Sequence, residues 1–151
     1  TTTLALRDKD TVTTERALRQ AIAAAPDSAQ PIVTLVQRQQ AWGRTAAAFQ
    51  TLDVFLQRRP EDVAARIQFG RLAGATGQQL ARGEKMLRDV LAVPSWEVSQ
   101  FRPSKASVQY RLGVLLAKAG KTTEARAAYE AALRLDPKLK PAREALAELR
   151  G

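Results

Sequence analysis

Apolar residues recur along this chain at steps of three and four, the spacing that gathers them on one face of a helix. Leu52, Phe55 and Leu56 form one such stripe, and Tyr129, Ala132 and Leu133 form another. Val, Ile and Thr are too scattered to read as strands. The pattern predicts helices over 12–25, 30–42, 45–58, 63–75, 79–92, 105–119, 122–135 and 138–150. Residues 95–104 break the periodicity and are predicted as a loop with room for one helical turn.

The breaks between stripes are themselves periodic. Gly43 to Pro60, Gly77 to Pro94 and Gly120 to Pro137 are each 17 residues apart. Pro26 to Pro60, Pro60 to Pro94 and Gly43 to Gly77 are each 34 apart. The next interval, Gly77 to Gly120 or Pro94 to Pro137, is 43, so one repeat carries a nine-residue insertion. The physical unit is a helix, a turn and a second helix. The mid-repeat glycine allows the left-handed backbone that ends a helix. The proline at the end of the repeat stops the second helix. Ser28 and Asp62 stand where the following helix needs an N-cap acceptor.

Residues 106–139 resemble a tetratricopeptide repeat. Leu112-Gly113 holds the place of that family's Leu-Gly pair, Gly120 is the turn glycine, and Ala125, Tyr129, Ala132 and Pro137 fall on its small, aromatic, small and proline positions. Gln109 replaces the family's first aromatic residue, with Tyr110 one later. In 29–62, Leu35 fits and Val36 replaces the glycine, while Ala48, Leu52, Phe55 and Pro60 keep the second-helix pattern. From Val63 on, Phe69-Gly70 and Gly77 are in place. Strict register would then bury Arg82 and Asp89, whereas a shift of one residue buries Gly83, Leu87, Val90 and Leu91, which implies one extra residue in that turn. Leu18, Ala21, Ile22 and Pro26 match the second helix of a further repeat. Leu139, Ala142, Leu146 and Leu149 match the family's closing helix, with Asp136 as its expected cap and Pro137 at its first position.

The resemblance implies an all-α fold, a right-handed superhelical α-solenoid of antiparallel helix pairs with about 3.5 repeats. It implies one domain over 1–151: a partial repeat at 1–28, repeats at 29–62, 63–94 and 105–137, an inserted loop at 95–104, and a closing helix at 138–151. Gly70, Gly113, Ala48, Ala125 and Ala132 then serve close helix packing, and Trp42 and Phe55 read as core.

Composition narrows the chemistry. Aromatic residues are only 5% of the 151, so the core must be aliphatic. The chain has no His and no Cys, which removes imidazole bases, thiolate nucleophiles, disulfides and the usual zinc ligands together. No serine or threonine has a histidine partner. Glu61-Asp62 is a carboxylate pair, but Asp62 is committed to a helix cap. No glycine-rich phosphate loop and no converging acidic cluster is evident, so neither enzymatic activity, metal nor cofactor is expected. No apolar run reaches the ~20 residues of a transmembrane helix. The formal net charge of +9 is spread along the chain, with local concentrations only at Arg58-Arg59 and at Lys138, Lys140 and Arg143. That reads as a solvated helical surface. A nucleic-acid module gathers its charge on one face, so nucleic acid is not the expected partner. Electrostatic binding of nucleic acid or anionic membrane stays as a weaker alternative. The composition suits a bacterial protein of cytoplasm or periplasm alike.

The resemblance implies a function: a non-catalytic protein–protein interaction scaffold that holds a peptide or partner protein in its concave groove. In the family the first helix of each unit lines that groove. Here those helices present Gln30, Val33, Thr34 and Gln37, then Ile67, Gln68 and Arg71, then Tyr110, Arg111, Val114 and Lys118. Arg71, Arg111 and Lys118 are suited to acidic segments of a partner. The family's carboxylate clamp needs a particular Lys/Asn set. The matching places hold Val33, Gln37, Ile67 and Arg71, so that clamp is not expected. Trp96 and Phe101 stand in the insertion, either pinning it to the helices or anchoring a partner. The incomplete first repeat suits an alternative, an accessory or dimerisation module excised from a larger protein or enzyme.

Overall fold

The computed structural model describes the backbone of residues 2–93 and 104–150, and the side chains of 9–93 and 104–149. Among them are eight helices and no strand: α1 (Thr2–Ala24), α2 (Ala29–Ala41), α3 (Thr45–Arg58), α4 (Val63–Thr76), α5 (Leu80–Leu91), α6 (Lys105–Lys118), α7 (Thr122–Leu135) and α8 (Lys140–Arg150). Two compact units divide the chain, Thr1–Ala65 and Arg66–Gly151.

Glycine and proline end the helices as their chemistry dictates. At Gly43 and Gly120 the backbone is left-handed, with φ of 76° and 78°. Each glycine N–H returns to a carbonyl of the preceding turn, Gly43 to Gln40 and Gly120 to Ala117. The next residue reaches further back, Arg44 to Gln39 at 2.8 Å and Lys121 to Leu116 at 2.9 Å. This is the Schellman closure, which satisfies carbonyls that a helix end leaves open. The third turn is one residue longer. α3 and α7 start two residues after their glycine, and α5 starts three after Gly77, with Gln79 left-handed at φ 51°. The extra residue rotates α5, so that Gly83, Leu87 and Val90 are buried and Arg82 is exposed.

Pro26, Pro60 and Pro137 stand second in tight turns. Ser28, Asp62 and Leu139 donate N–H to the carbonyls of Ala25, Arg59 and Asp136 at 3.0, 3.2 and 3.1 Å. Proline suits that position because its φ is already set. Asp62 Oδ1 then caps α4 by accepting from Ala65 N–H at 2.9 Å. Ser28 stands at the N-cap of α2 without a side-chain bond.

Two expectations need correction. The first helix begins at Thr2 and not at 12, since no proline or glycine interrupts the segment before Pro26. The closing helix begins at Lys140 and not at 138. Asp136 does not cap it: its Oδ1 accepts from Lys138 N–H at 3.1 Å inside the turn that holds Pro137. Pro141 instead occupies the first turn of α8, where its missing N–H costs no helical bond.

In the first unit α2 packs against both α1 and α3. Ile32, Leu35 and Val36 meet Ala48, Phe49, Leu52, Phe55 and Leu56 in the core. Gln39 is 1% exposed and accepts from Thr51 Oγ1 at 2.8 Å, so a polar group lies satisfied among apolar ones. Trp42 is half-buried with Arg44 5.7 Å above its ring. In the second unit α6 packs against α5, α7 and α8. Leu72, Leu87, Leu115 and Leu116 are among its fully enclosed side chains, and Ala142 brings α8 onto the same core.

Candidate partner-binding surface

The second unit holds two successive first helices, α4 and α6. Their backbones approach closely at Gly74, where a Cβ would lie 3.4 Å from the Cα and N of Leu115. Arg71 stands one turn before Gly74, and Arg111 one turn before Leu115. The arrangement brings the two guanidinium groups near enough for the charge of one to act on the other.

Arg71 is held from its own helix. Its Nε donates to Gln68 Oε1 at 3.0 Å, and Gln68 is itself 8% exposed. Its Nη2 is buried with no hydrogen-bond acceptor. Burial, and then the positive charge of Arg111, hold the Arg71 guanidinium below the usual arginine range. Both effects disfavour the cation. Among the described residues neither Arg71 nor Arg111 has an acidic partner.

Arg111 lies 5.5 Å from the ring centre of Tyr110, a cation–π distance. Tyr110 in turn meets Tyr129 of α7, with ring centres 6.0 Å apart and planes tilted by 35°. Burial chiefly, then Tyr110 and Glu148, push the Tyr129 hydroxyl up to about 12. Lys118 is exposed in the last turn of α6, where a cation also complements the helix dipole.

The other expected residues fall as follows. Ile67 is 2% exposed and belongs to the core, so it offers no surface to a partner. Its neighbour Gln68 positions Arg71, a role its sequence position alone did not disclose. On α2, in the first unit, Gln30 and Gln37 are exposed, and Val33 and Thr34 are half-buried. Trp96 and Phe101 lie outside the described residues.

A different surface joins α5 and α7. Lys121 Nζ contacts Glu84 Oε1 at 2.9 Å, Arg88 Nε contacts Glu84 Oε2 at 3.0 Å, and Arg88 Nη2 contacts Glu124 at 3.1 Å. A cleft of about 420 Å³ beside it is lined by Gln109, Leu112, Leu116 and Ala128. Its charges already answer one another, unlike those of Arg71 and Arg111. Among the described residues no three acidic side chains converge as a metal would need, and no helix is long and apolar enough to cross a membrane.

Residues 106–139 match the tetratricopeptide repeat family. No curated protein matches the chain. Among solved structures, MamA superposes over 95% of this chain and 78% of its own, with TM-score 0.70 and 17% identity. PilF of Pseudomonas aeruginosa gives 0.74 and 18%, over 95% of this chain and 62% of its own. A tetratricopeptide repeat protein from Parabacteroides merdae gives 0.68 and 17%, over 97% of this chain and 56% of its own. The chain thus carries a tetratricopeptide repeat at 106–139, and its all-helical fold is that of tetratricopeptide-repeat proteins.

Proposed function

We propose that the chain is a non-catalytic interaction scaffold that binds a peptide or partner protein on the face of its first helices. The observation that carries this reading is the close approach of α4 and α6. It brings Arg71 near Arg111, which lies 5.5 Å from the Tyr110 ring centre, and no acid among the described residues neutralises either cation. Lys118 extends the surface two turns along α6. Gln30, Val33 and Gln37 offer the corresponding face of α2 in the first unit. Stacked repeats use such helix faces to hold extended ligands. The chain has no imidazole or thiol with which to run acid–base or nucleophilic chemistry.

The test is selection of a displayed random dodecapeptide library on the immobilised chain. Selected peptides should be rich in Asp and Glu, and should bind the Arg71→Ala/Arg111→Ala variant about tenfold or more weakly, a loss of roughly 1.4 kcal/mol. Both substitutions leave helix content unchanged, because Arg and Ala are both good helix formers. Trp96→Ala and Phe101→Ala give the comparison. Binding lost there, and unchanged in the arginine variant, would place the partner on the insertion and overturn the reading.

A further inference from the structure

We propose that the cleft between α1, α2 and α3 in the first unit is a second binding site, which takes an uncharged side-chain amide of a protein partner. The inference goes beyond the reading above and uses none of the residues around Arg71 and Arg111.

The cleft holds about 240 Å³. Ile22 of α1, Ile32 of α2, and Ala47 and Val54 of α3 give it apolar walls, and Gln39 and Thr51 add polar groups. The cleft between α5, α6 and α7 in the second unit is its counterpart. Gln39, Ala47 and Thr51 correspond there to Leu116, Glu124 and Ala128, each 77 residues later, the interval from Gly43 to Gly120. Arg19 corresponds to Arg88 once the longer turn before α5 is allowed for. Each arginine meets the glutamate four residues before it, Glu15 at 2.8 Å and Glu84 at 3.0 Å. In the second unit Arg88 also reaches Glu124 at 3.1 Å, which ties α5 to α7. In the first unit Ala47 has no carboxylate to make that tie.

Leu116 is enclosed at the place of Gln39, so the repeat itself asks for an apolar residue there. Gln39 is buried all the same, and the one hydrogen bond of its side chain among the described residues is with Thr51. An amide has two N–H donors and a carbonyl with two lone pairs, so most of its capacity is unused. The Thr51 hydroxyl has one hydrogen and two acceptors in reach, Gln39 Oε1 at 2.8 Å and the Ala47 carbonyl at 2.9 Å. If the hydrogen goes to Gln39, the Gln39 N–H groups are free. If it goes to Ala47, the Gln39 amide turns its nitrogen to Thr51 and its carbonyl is free. A carboxylate only accepts and an ammonium only donates, whereas an amide does both and answers either arrangement. Arg19 Nε and Nη2 both rest on Glu15 Oε1, at 3.1 and 2.8 Å, so the cleft has no open charge to attract an anion. A cavity of about 150 Å³ holds benzene, so this one has room for an amide side chain, with its stem against Ile22, Ile32 and Val54. The lining contains no carboxylate for the ammonium of a free amino acid, which favours a residue within a chain.

The test titrates three peptides into the full chain labelled with ¹⁵N and ¹³C: acetyl-Gly-Gln-Gly-amide, acetyl-Gly-Glu-Gly-amide and acetyl-Gly-Leu-Gly-amide. The signals followed are the Gln39 side-chain amide, assigned through Gln39→Leu, and the Ile22 and Ile32 methyl groups. The glutamine peptide should shift them saturably, and the glutamate and leucine peptides should bind about threefold or more weakly. Gln39→Leu restores the residue of the second unit. It should raise the melting temperature and abolish the preference for glutamine. Ala47→Glu supplies the missing tie to Arg19, in the first turn of α3 where an acid also suits the helix dipole. It should remove the response with Gln39 still in place. The Arg71→Ala/Arg111→Ala variant should bind the glutamine peptide as the parent does, and a loss there would count against a separate site. Pentanamide, a free amide, should bind more weakly than the glutamine peptide; tighter binding would refute a protein source. Gln39 signals that the glutamine peptide leaves unmoved, or a preference for glutamine that survives Gln39→Leu, would overturn the proposal.

Discussion

At the scale of single residues, the distance between paired helices is set by what stands opposite a glycine. A Cβ on Gly113 would lie 2.5 and 2.6 Å from two ring carbons of Tyr129, whose side chain is 3% exposed and has nowhere to retreat. In the first unit the equivalent repeat positions hold Val36 and the smaller Leu52, both fully buried. By repeat position the two pairs divide volume differently between first and second helix. Gly113→Ala gains up to about 1 kcal/mol of helix propensity but suffers about 1–3 kcal/mol of overpacking. It should therefore destabilise the chain. In a Tyr129→Leu background the same change should become neutral or stabilising. A thermodynamic cycle of the four proteins by urea denaturation checks this. Equal effects in the two backgrounds would show that the ring is not the obstacle.

At the scale of elements, the helix frame was legible because glycine and proline act locally. α3 and α7 were predicted to the residue, and the longer turn before α5 was readable from Arg82 and Asp89 falling on buried positions. The misreadings have physical causes. Asp136 and Pro137 fit the start of a helix as well as they fit a tight turn; here Leu139 N–H closes the turn on the Asp136 carbonyl, and α8 begins only at Lys140. Ile67 stands among the groove residues that the family resemblance implies, and position within a repeat gives a face but not its depth; at 2% exposure it is core. The role of Gln68 was hidden because it depends on the position of Arg71, and that of Arg71 depends on α6, which is distant in sequence.

The link between α5 and α7 is an element-scale feature with a pH signature. Its bonds to Lys121 chiefly, and to Arg88, hold the Glu84 carboxyl below the usual range. A carboxylate with a depressed folded value stabilises the fold above its unfolded value. That contribution is lost as pH falls through the folded one. Glu84→Gln should lower the melting temperature at neutral pH modestly, the pair being worth about 1 kcal/mol. It should also flatten the fall in melting temperature below about pH 4.5, near the unfolded value. An unchanged acid limb would mean that Glu84 is not held by these bonds.

At the scale of the whole molecule, each helix hairpin leaves an apolar face that its neighbour must cover. α8 does this for the last one: it packs on α7 and α6, and Ala142 is fully buried. Removing 138–151 should uncover that face and produce concentration-dependent association in sedimentation velocity. A truncated chain that stays monomeric and equally stable would deny α8 a capping role.

An acidic ligand of this chain should lie on the first-helix face and not on the second helices. Backbone amide shifts of the labelled chain, followed during titration with a library-selected acidic peptide, test it most directly. The largest changes should fall on α4 and α6 around Arg71, Tyr110, Arg111 and Lys118, with α5 and α7 little affected. Changes confined to α5, α7 or α8 would contradict it.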